Sequence, residues 1–498
     1  MRIILASAVC LLLCGVACGQ VQCCVGGVCK APAGPYEPNW VSLDQRPTPK
    51  WWVDAKFGIF IHWGVYSVPA WSVKGQYSEW YWRRVENDKK KNGPWWRFHK
   101  ENYGEDFEYK DFAPKFKAEL FDPDQWADVF VRSGAKYIVL TSKHHDGYCL
   151  WPSEDANRTW GRAWNAVDVG PKRDLLGELT EAVRKTDVRM GIYYSLYEWY
   201  NPLWLSDRDR YVDEHMFPQF KDVVRRYKPA VIFSDGEWDM HSSKWRSEEL
   251  LAWLFNESPV GSYVVIDDRW GKDCRHEHGG YYTTEYGAGL KSGSHPWEEC
   301  RGMAHSFGYS RTESLNDYKS ARELILMLID LVSRGGNLLL DIGPTGDGRI
   351  PVIMEERLVQ IGDWLAVNGE AIYESWPWRT TFQWTEGKQP DVGYGKQYKA
   401  KYDIKELTSA PTGDKAVIEA FFTSKGDTLY AITPRWPTEK LVIRQVSASA
   451  NTTVELLGSD EQLRWKAEDG NIVIDVPCLS ADEAPCDYAY VFKLTEVE

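Results

Sequence analysis

The sequence predicts an α/β fold: a (β/α)8-like barrel followed by a C-terminal antiparallel β-sandwich. First, short continuous apolar runs recur along most of the chain, and such runs are typical of strands buried on both faces. Second, helix-like segments separate these runs, which indicates parallel βαβ units and favours a barrel over an open sheet. Third, short alternating runs broken by Gly, Asp, Pro and Ser follow Trp378, a pattern typical of a sandwich.

Six predicted strands end in polar or aromatic residues. They are FGIFIHWG (57–64), KYIVLTSKHHDG (136–147), RMGIYYSL (189–196), AVIFSDG (230–236), YVVIDDRW (263–270) and NLLLDIGP (337–344). Helices are expected between them, because four segments show apolar residues at helical spacing, capping residues at their start, or glycines or basic residues at their end. These segments are 122–134, 174–186, 211–229 and 320–336. In such barrels the chemistry lies where the strands end.

The N-terminus has a charged residue, an apolar run and small residues, which predicts a secretory signal peptide over 1–19. We expect an irregular segment over 20–50, the barrel over 51–378 and the sandwich over 379–498. No later run is long and apolar enough to span a bilayer. The predicted location is the secretory pathway, either lysosomal or extracellular, and sequons at Asn157, Asn256 and Asn451 agree with it.

Eight cysteines follow the predicted signal peptide. They are Cys23, Cys24, Cys29, Cys149, Cys274, Cys300, Cys478 and Cys486. An even number in an oxidising compartment predicts disulfides. Their connectivity is not readable, although Cys478 with Cys486 is the simplest local pair. Zinc binding by Cys23, Cys24 and Cys29 is possible, but the sequence has no second cluster of ligands to pair with them.

Composition narrows the class of partner. The net charge of −13 argues against nucleic acid or an anionic membrane as the main partner, because both select basic surfaces. The 26 Trp and 27 Tyr residues suit a protein that binds flat, half-apolar ligands such as sugars. An aromatic-rich core accounts for most of them.

The predicted strand ends bring together acids, bases and aromatic residues. They are His62, His144, His145, Asp146, Tyr194, Asp235, Asp268, Arg269 and Asp341. Two carboxylates across such a pocket can break a glycosidic bond. A single Asp at a strand end is more often a helix cap or turn residue, so the prediction depends on the set.

Metal binding and cofactors are not expected. Adjacent histidines on a strand point to opposite faces, so His144 and His145 would rarely share one ion. The pair His276 and His278 lacks further ligands. Hydrogen bonding to sugar hydroxyls suits the strand-end histidines better.

Eight motifs in order carry a resemblance to a known family. They are FGIFIHWGVYSVPAWS, SEWY, YIVLTSKHHDGYCLWPS, YYSLYEW, FSDGEWD, DDRWG, HPWEECRGMAHSFGYSR and NLLLDIGPTGDGRIP. Together they resemble the α-L-fucosidases of glycoside hydrolase family 29. The resemblance implies a barrel-like catalytic domain, a β-sandwich, and release of terminal α-linked L-fucose with retention of configuration.

The same resemblance assigns roles to residues. It implies that Asp235 is the nucleophile, with Glu237 and Asp239 as supporting or rim groups. The implied fucose-binding residues are His62, Glu79, Trp80, His144, His145, Tyr194 and Arg269. Some relatives carry Trp two residues before the nucleophile, where this chain has Phe233.

The resemblance to one set of relatives implies that Glu298 of HPWEEC is the acid/base. Glu285 of YYTTEYG is the alternative, since animal relatives carry a Glu-Asp pair there. Here Tyr286 replaces the second carboxylate, which favours Glu298. Glu299 remains open.

The sequence therefore predicts a retaining exo-α-L-fucosidase that acts on fucosylated glycans, and family relatives suggest a homo-oligomer. One alternative is a catalytically inactive fucose-binding protein of the same fold, which would lack Asp235 or every acid/base candidate. Another is a barrel hydrolase for a different deoxysugar or a galactoside.

Overall fold

The computed structural model describes residues 34–291, 295–392, 403–460 and 462–498. The predicted signal peptide and Cys23, Cys24 and Cys29 lie outside these ranges. The first part of the fold contains eight parallel strands around a buried interior. They are β1 Phe57–Ile61, β2 Tyr137–Lys143, β3 Arg189–Ser195, β4 Val231–Asp235, β5 Val265–Ile266, β6 Tyr282–Glu285, β7 Trp297–Gly302 and β8 Gly336–Ile342.

These strands form one curled sheet in the order β5-β4-β3-β2-β1-β8-β7-β6. The first and last strands in sequence are neighbours, since Ile59 of β1 pairs with both Ile138 of β2 and Leu340 of β8. At the open seam, the Tyr281 N–H next to β6 donates to the Ile266 carbonyl of β5 at 3.1 Å. This arrangement confirms the barrel-like fold class.

Six strands coincide with the predicted apolar runs, and two were not predicted. The unpredicted strands β6 and β7 read YTTE and WEECRG. Their polar side chains are nevertheless buried, so neither strand has the continuous apolar run on which the prediction depended. Both strands carry the candidate acid/base residues.

Helices precede, connect and follow these strands. They are α1 Trp40–Leu43, α2 Lys50–Ala55, α3 Tyr81–Lys89, α4 Pro94–Tyr103, α5 Pro123–Arg132, α6 Glu154–Trp160, α7 Leu175–Val183, α8 Pro202–Ser206, α9 Arg208–Tyr211, α10 Phe217–Tyr227, α11 Ser242–Trp245, α12 Ser247–Asn256, α13 Ala321–Ser333, α14 Val352–Asn368 and α15 Ile404–Thr408. A π-helical turn, Val212–Met216, joins α9 to α10. The four predicted helical segments correspond to α5, α7, the α9–α10 run and α13.

Two antiparallel sheets follow the barrel. Their strands are β9 Trp376–Trp384, β10 Ile418–Lys425, β11 Thr428–Thr433, β12 Lys440–Ile443, β13 Val454–Leu456, β14 Trp465–Glu468, β15 Asn471–Asp475 and β16 Tyr490–Leu494. One sheet has the order β13-β16-β11-β10-β9 and the other β12-β15-β14. Residues such as Phe422 and Ile472 from the two sheets share one apolar core, which confirms the predicted sandwich. Its first strand begins at Trp376, slightly before the expected boundary.

The described cysteines are not paired with one another. Cys149, Cys274 and Cys300 are buried, while Cys478 is exposed and Cys486 is half-buried, and all five are free thiols. The suggested pair Cys478 with Cys486 is therefore wrong for this structure. The Cys486 sulfur instead contacts Asn368 of α14 and the Ala489 carbonyl, whereas Cys478 lies on the surface. No helix within the described ranges combines the length and apolar character needed to cross a bilayer.

Candidate active site

The carboxyl ends of the barrel strands surround a cavity of about 350 Å³. This volume lies at the small end of the range for ligand pockets. The lining residues are Phe60, His62, Tyr77, Glu79, Trp80, His144, Tyr193, Phe233, Asp235, Glu237, Trp238, Arg269, Arg275, Glu285, Cys300 and Phe307. The cavity is thus where barrel enzymes carry their chemistry.

Asp235 is the last residue of β4, and the chain turns sharply after it. Gly236 has a φ of 77°, and a Cβ at this position would lie 2.3 Å from Cδ1 of Tyr197. Glycine therefore lets the chain leave while the Asp235 side chain faces the cavity. The Asp235 carboxylate accepts hydrogen bonds from Arg269 Nη1 at 2.9 Å and from the Tyr193 hydroxyl at 2.8 Å.

The charge on Asp235 is set by opposing effects. Burial favours the neutral acid, but Arg269, His145 and Arg275 outweigh burial and hold the pKa of Asp235 well below its usual range. His145 Nε2 lies 3.5 Å from Asp235 Oδ2. Asp235 is therefore an ionised carboxylate with both oxygens oriented, which is the state that a nucleophile requires.

The structure corrects the prediction for Tyr194. Its hydroxyl donates to Gln219 Oε1 at 2.9 Å on the outer side of the sheet, and Tyr194 does not line the cavity. Its neighbour Tyr193 lines it instead, because successive side chains of a strand point to opposite faces. The motif placed a tyrosine at this strand end, but the register of β3 decides which of the two faces the cavity.

The predicted histidines gather on one side of the cavity. His62 and His144 line it, and His145 is bonded through Nδ1 to Ser195 Oγ at 2.6 Å. His62 Nδ1 is hydrogen-bonded to Asp341 Oδ1 at 2.6 Å. Burial lowers the pKa of His62 to about 3 and lowers those of His144 and His145. A neutral imidazole donates through one nitrogen and accepts through the other, so His62, with Nδ1 engaged by Asp341, offers only Nε2 to a sugar hydroxyl.

Glu79 and Trp80 lie together on a 3₁₀ turn at the cavity. Glu79 accepts hydrogen bonds from the Gly308 N–H at 2.9 Å and from Ser306 at 3.3 Å. Burial raises the pKa of Glu79 to about 8. The Trp80 ring packs against His145, with ring centroids 5.6 Å apart, so the structure brings both residues to the site.

Another part of the cavity wall is apolar. The rings of Phe60 and Phe233 lie 4.9 Å apart between centroids, and those of Phe60 and Phe307 lie 6.1 Å apart. Phe307 also stacks on His62 at 4.8 Å. The sequence analysis singled out Phe233, but Phe60 and Phe307 were missed because a buried Phe carries no local sign of facing a ligand.

The structure also corrects the assignment of Glu298. This residue is the second of β7 and is completely buried below the cavity, where the Tyr137 hydroxyl donates to it. Burial raises the pKa of Glu298 to about 8. Glu299 is equally buried and accepts from the Gly287 N–H at 2.8 Å. Neither residue lines the cavity.

The alternative candidate, Glu285, lines the cavity. It ends β6, accepts a hydrogen bond from the Tyr77 hydroxyl at 3.0 Å, and lies 3.3 Å from Arg269 Nη2. Because Arg269 also bonds Asp235 through Nη1, one guanidinium contacts both carboxylates. Glu237 also lines the cavity, beside Arg275, and with Glu79 it brings the number of carboxyl groups in the lining to four.

An ionised carboxylate and a second carboxylate, set among aromatic walls at the carboxyl ends of barrel strands, are the arrangement that glycoside hydrolases use. A model of the alpha-L-fucosidase family matches residues 27–370, and a model of the alpha-L-fucosidase C-terminal domain matches residues 413–495. The chain belongs to the alpha-L-fucosidase family.

Individual relatives cover nearly the whole chain. The tissue alpha-L-fucosidase of Homo sapiens is 41% identical over 477 residues, which are 94% of this chain and 93% of the relative. The alpha-L-fucosidase of Branchiostoma floridae is 42% identical over 93% of this chain and 96% of its own length. The crystal structure of Thermotoga maritima alpha-fucosidase in complex with fucose is 35% identical, with a TM-score of 0.74, over 92% of this chain and all of that chain.

Proposed function

We propose that this protein is a retaining exo-α-L-fucosidase that releases terminal α-linked L-fucose through a covalent fucosyl intermediate on Asp235. The observation that carries this proposal is the ionised Asp235 carboxylate, oriented by Arg269 and Tyr193 inside a cavity that also holds Glu285. The solved structures of the Thermotoga maritima relative include one with fucose and one with a mechanism-based inhibitor, which supports a covalent step here.

The proposed reaction has two displacements at the anomeric carbon. In the first, Asp235 attacks that carbon while Glu285 gives its proton to the departing glycosidic oxygen. In the second, Glu285 takes a proton from water, and the water oxygen displaces Asp235 to release fucose. Retaining pairs lie about 5–5.5 Å apart, and contact with one Arg269 guanidinium brings the two carboxyl groups near each other.

The wall of the cavity supports fucose as the sugar. His62, His144 and Glu79 offer hydrogen-bonding groups to the ring hydroxyls. Phe60, Phe233 and Phe307 offer an apolar surface to the methyl group at C5. A galactoside would place a hydroxyl against that surface, and burying an unpaired hydroxyl is unfavourable. Arg269 and His145 keep Asp235 ionised and oriented.

Relatives support the biological setting of the proposal. Relatives named tissue and plasma alpha-L-fucosidase occur among animals, which agrees with a lysosomal or extracellular protein that acts on fucosylated glycans. Assembly into a homo-oligomer stays a prediction, as does the division into a barrel over 51–378 and a sandwich over 379–498.

The direct test is release of nitrophenol from 4-nitrophenyl α-L-fucoside, compared with 4-nitrophenyl β-D-galactoside. We expect turnover of the fucoside and little turnover of the galactoside. Turnover of the galactoside alone would indicate a different hydrolase. Binding of fucose without any release would indicate the inactive fucose-binding alternative.

A further inference from the structure

The mouth of the cavity differs from its floor. His62, His144 and Phe60 on the floor are buried, whereas Trp238 at the mouth is 38% exposed. Trp238 belongs to a 3₁₀ turn, Glu237–Asp239, that follows Asp235 and Gly236. A sugar attached to a fucose in the cavity has to extend through this mouth, because the floor is closed.

The exposed ring of Trp238 is held in place by its neighbours. Tyr197 and His145 pack edge-to-face against it, with ring centroids 5.6 Å and 5.4 Å away. Trp80 lies nearly parallel to it, at 6.3 Å and 22°. An indole fixed in this way presents a rigid aromatic surface, and such surfaces bind ligands at a low cost in conformational entropy.

Glu237 next to this ring has a carboxylate oxygen with no protein partner. Its Oε1 accepts a hydrogen bond from Arg275 Nε at 2.7 Å, but its Oε2 is buried and unpartnered within the described part of the chain. The residue is only 2% exposed and lines the cavity. A buried polar oxygen without a hydrogen bond is unfavourable, so this oxygen is suited to a donor supplied by a ligand.

We propose that Trp238, Glu237 and Arg275 form a leaving-group subsite for a neutral pyranose that carries the fucose. Trp238 stacks on the apolar face of that second sugar ring, Glu237 Oε2 accepts a hydrogen bond from one of its hydroxyls, and Arg275 donates to another oxygen. The inference rests on the proposed fucosidase function.

The test compares substrates that share fucose but differ in the leaving group. α-L-Fucosyl fluoride has no second sugar, whereas 2′-fucosyllactose has a pyranose directly attached. For Trp238→Ala we expect kcat/KM on 2′-fucosyllactose to fall about tenfold, the size of one lost stacking contact, with a clearly smaller fall on the fluoride. Trp238→Phe should retain most of the activity on 2′-fucosyllactose because it keeps an aromatic face.

Two further variants complete the comparison. Glu237→Gln should also reduce kcat/KM on 2′-fucosyllactose more than on the fluoride, and it tests the subsite if the Trp238 variants fold poorly. Trp376→Ala removes another partly exposed tryptophan, 54% exposed at the start of β9. It should leave kcat/KM unchanged on both substrates.

The outcomes separate the two proposals. Failure of the wild-type protein to hydrolyse either substrate would overturn the proposed function. Suppose instead that the wild type hydrolyses both substrates. The subsite alone would be overturned if Trp238→Ala and Glu237→Gln lost kcat/KM equally on both substrates, or lost none on 2′-fucosyllactose.

Discussion

The hydroxyl of Tyr193 donates a hydrogen bond to Oδ2 of Asp235 at 2.8 Å, across the neighbouring strands β3 and β4. Arg269 contacts the other oxygen of the same carboxylate. Both oxygens are therefore fixed before a substrate binds. Such preorganisation lowers the cost of reaching the transition state, since the groups around the nucleophile need not rearrange.

The two adjacent tyrosines of β3 provide a matched test of this arrangement. Tyr193→Phe removes the donor to Asp235, and we expect kcat/KM on the fucoside to fall about 10- to 100-fold, the usual value of a hydrogen bond to a charged group. Tyr194→Phe removes a bond to Gln219 outside the cavity and should change kcat/KM less than twofold. Its effect should instead be a loss of about 1 kcal/mol in the free energy of unfolding. Equal kinetic defects in the two variants would contradict the placement of Tyr193.

Asp235→Ala should abolish turnover by several orders of magnitude, because the covalent step is lost. Added azide should restore part of the activity by entering from the vacated face, and the product should be the β-fucosyl azide, identified by NMR. Asp239→Asn alters a partly exposed carboxylate paired with Arg208 and should remain active. Turnover close to the wild-type level in purified Asp235→Ala would disprove the nucleophile assignment.

The acid/base prediction separates Glu285 from Glu298. A general acid matters most for a poor leaving group, so Glu285→Ala should impair hydrolysis of fucosylated oligosaccharides far more than cleavage of an activated aryl fucoside. Azide should then yield the α-fucosyl azide, since it needs no base in the second displacement, and the basic limb of the pH–rate profile should disappear.

Glu298→Ala serves as the comparison, because Glu298 is completely buried and does not line the cavity. Removing the Glu298 carboxyl should impair folding, and it should lower kcat/KM by the same factor for every leaving group. Leaving-group dependence in Glu298→Ala, together with its absence in Glu285→Ala, would restore the original assignment.

Glu298 also makes stability depend on pH in a defined direction. Burial raises its pKa in the folded protein to about 8, above the value of about 4.3 for an unfolded chain. The folded state therefore favours the protonated acid. The stabilisation from this proton is present in full below about pH 4.3 and is lost as the pH rises towards 8.

Glu298→Gln cannot ionise at this position. We therefore expect its melting temperature to be close to that of the wild type at about pH 5 and higher than that of the wild type near pH 8. The measurement is the melting temperature of both proteins across this range. Glu119→Gln alters an exposed carboxylate and should follow the wild-type curve. Parallel curves for wild type and Glu298→Gln would show that Glu298 does not titrate in this way.

The sequence by itself determined the two-part fold and the position of Asp235. An apolar run that ends in Asp235 and Gly236 marks the end of a buried strand, and barrel enzymes use such ends. His62, His144 and Arg269 could be found in the same way. The strands β6 and β7 could not, because buried polar residues interrupt the apolar runs in YTTE and WEECRG. Their partners, such as Tyr137 for Glu298 and Tyr77 for Glu285, come from distant parts of the chain.

Only the tertiary structure decided which of several neighbouring residues reach the cavity. Tyr193 and Tyr194 point to opposite faces of β3, so only Tyr193 reaches the cavity. Glu285 and Glu298 differ in their positions along the strands, since Glu285 ends β6 whereas Glu298 lies near the beginning of β7. Local sequence specifies that a segment is a strand. The register between strands decides which face each side chain occupies and how far along the barrel it lies. This register arises from the pairing and closure of the whole sheet, whose strands are distant in the chain.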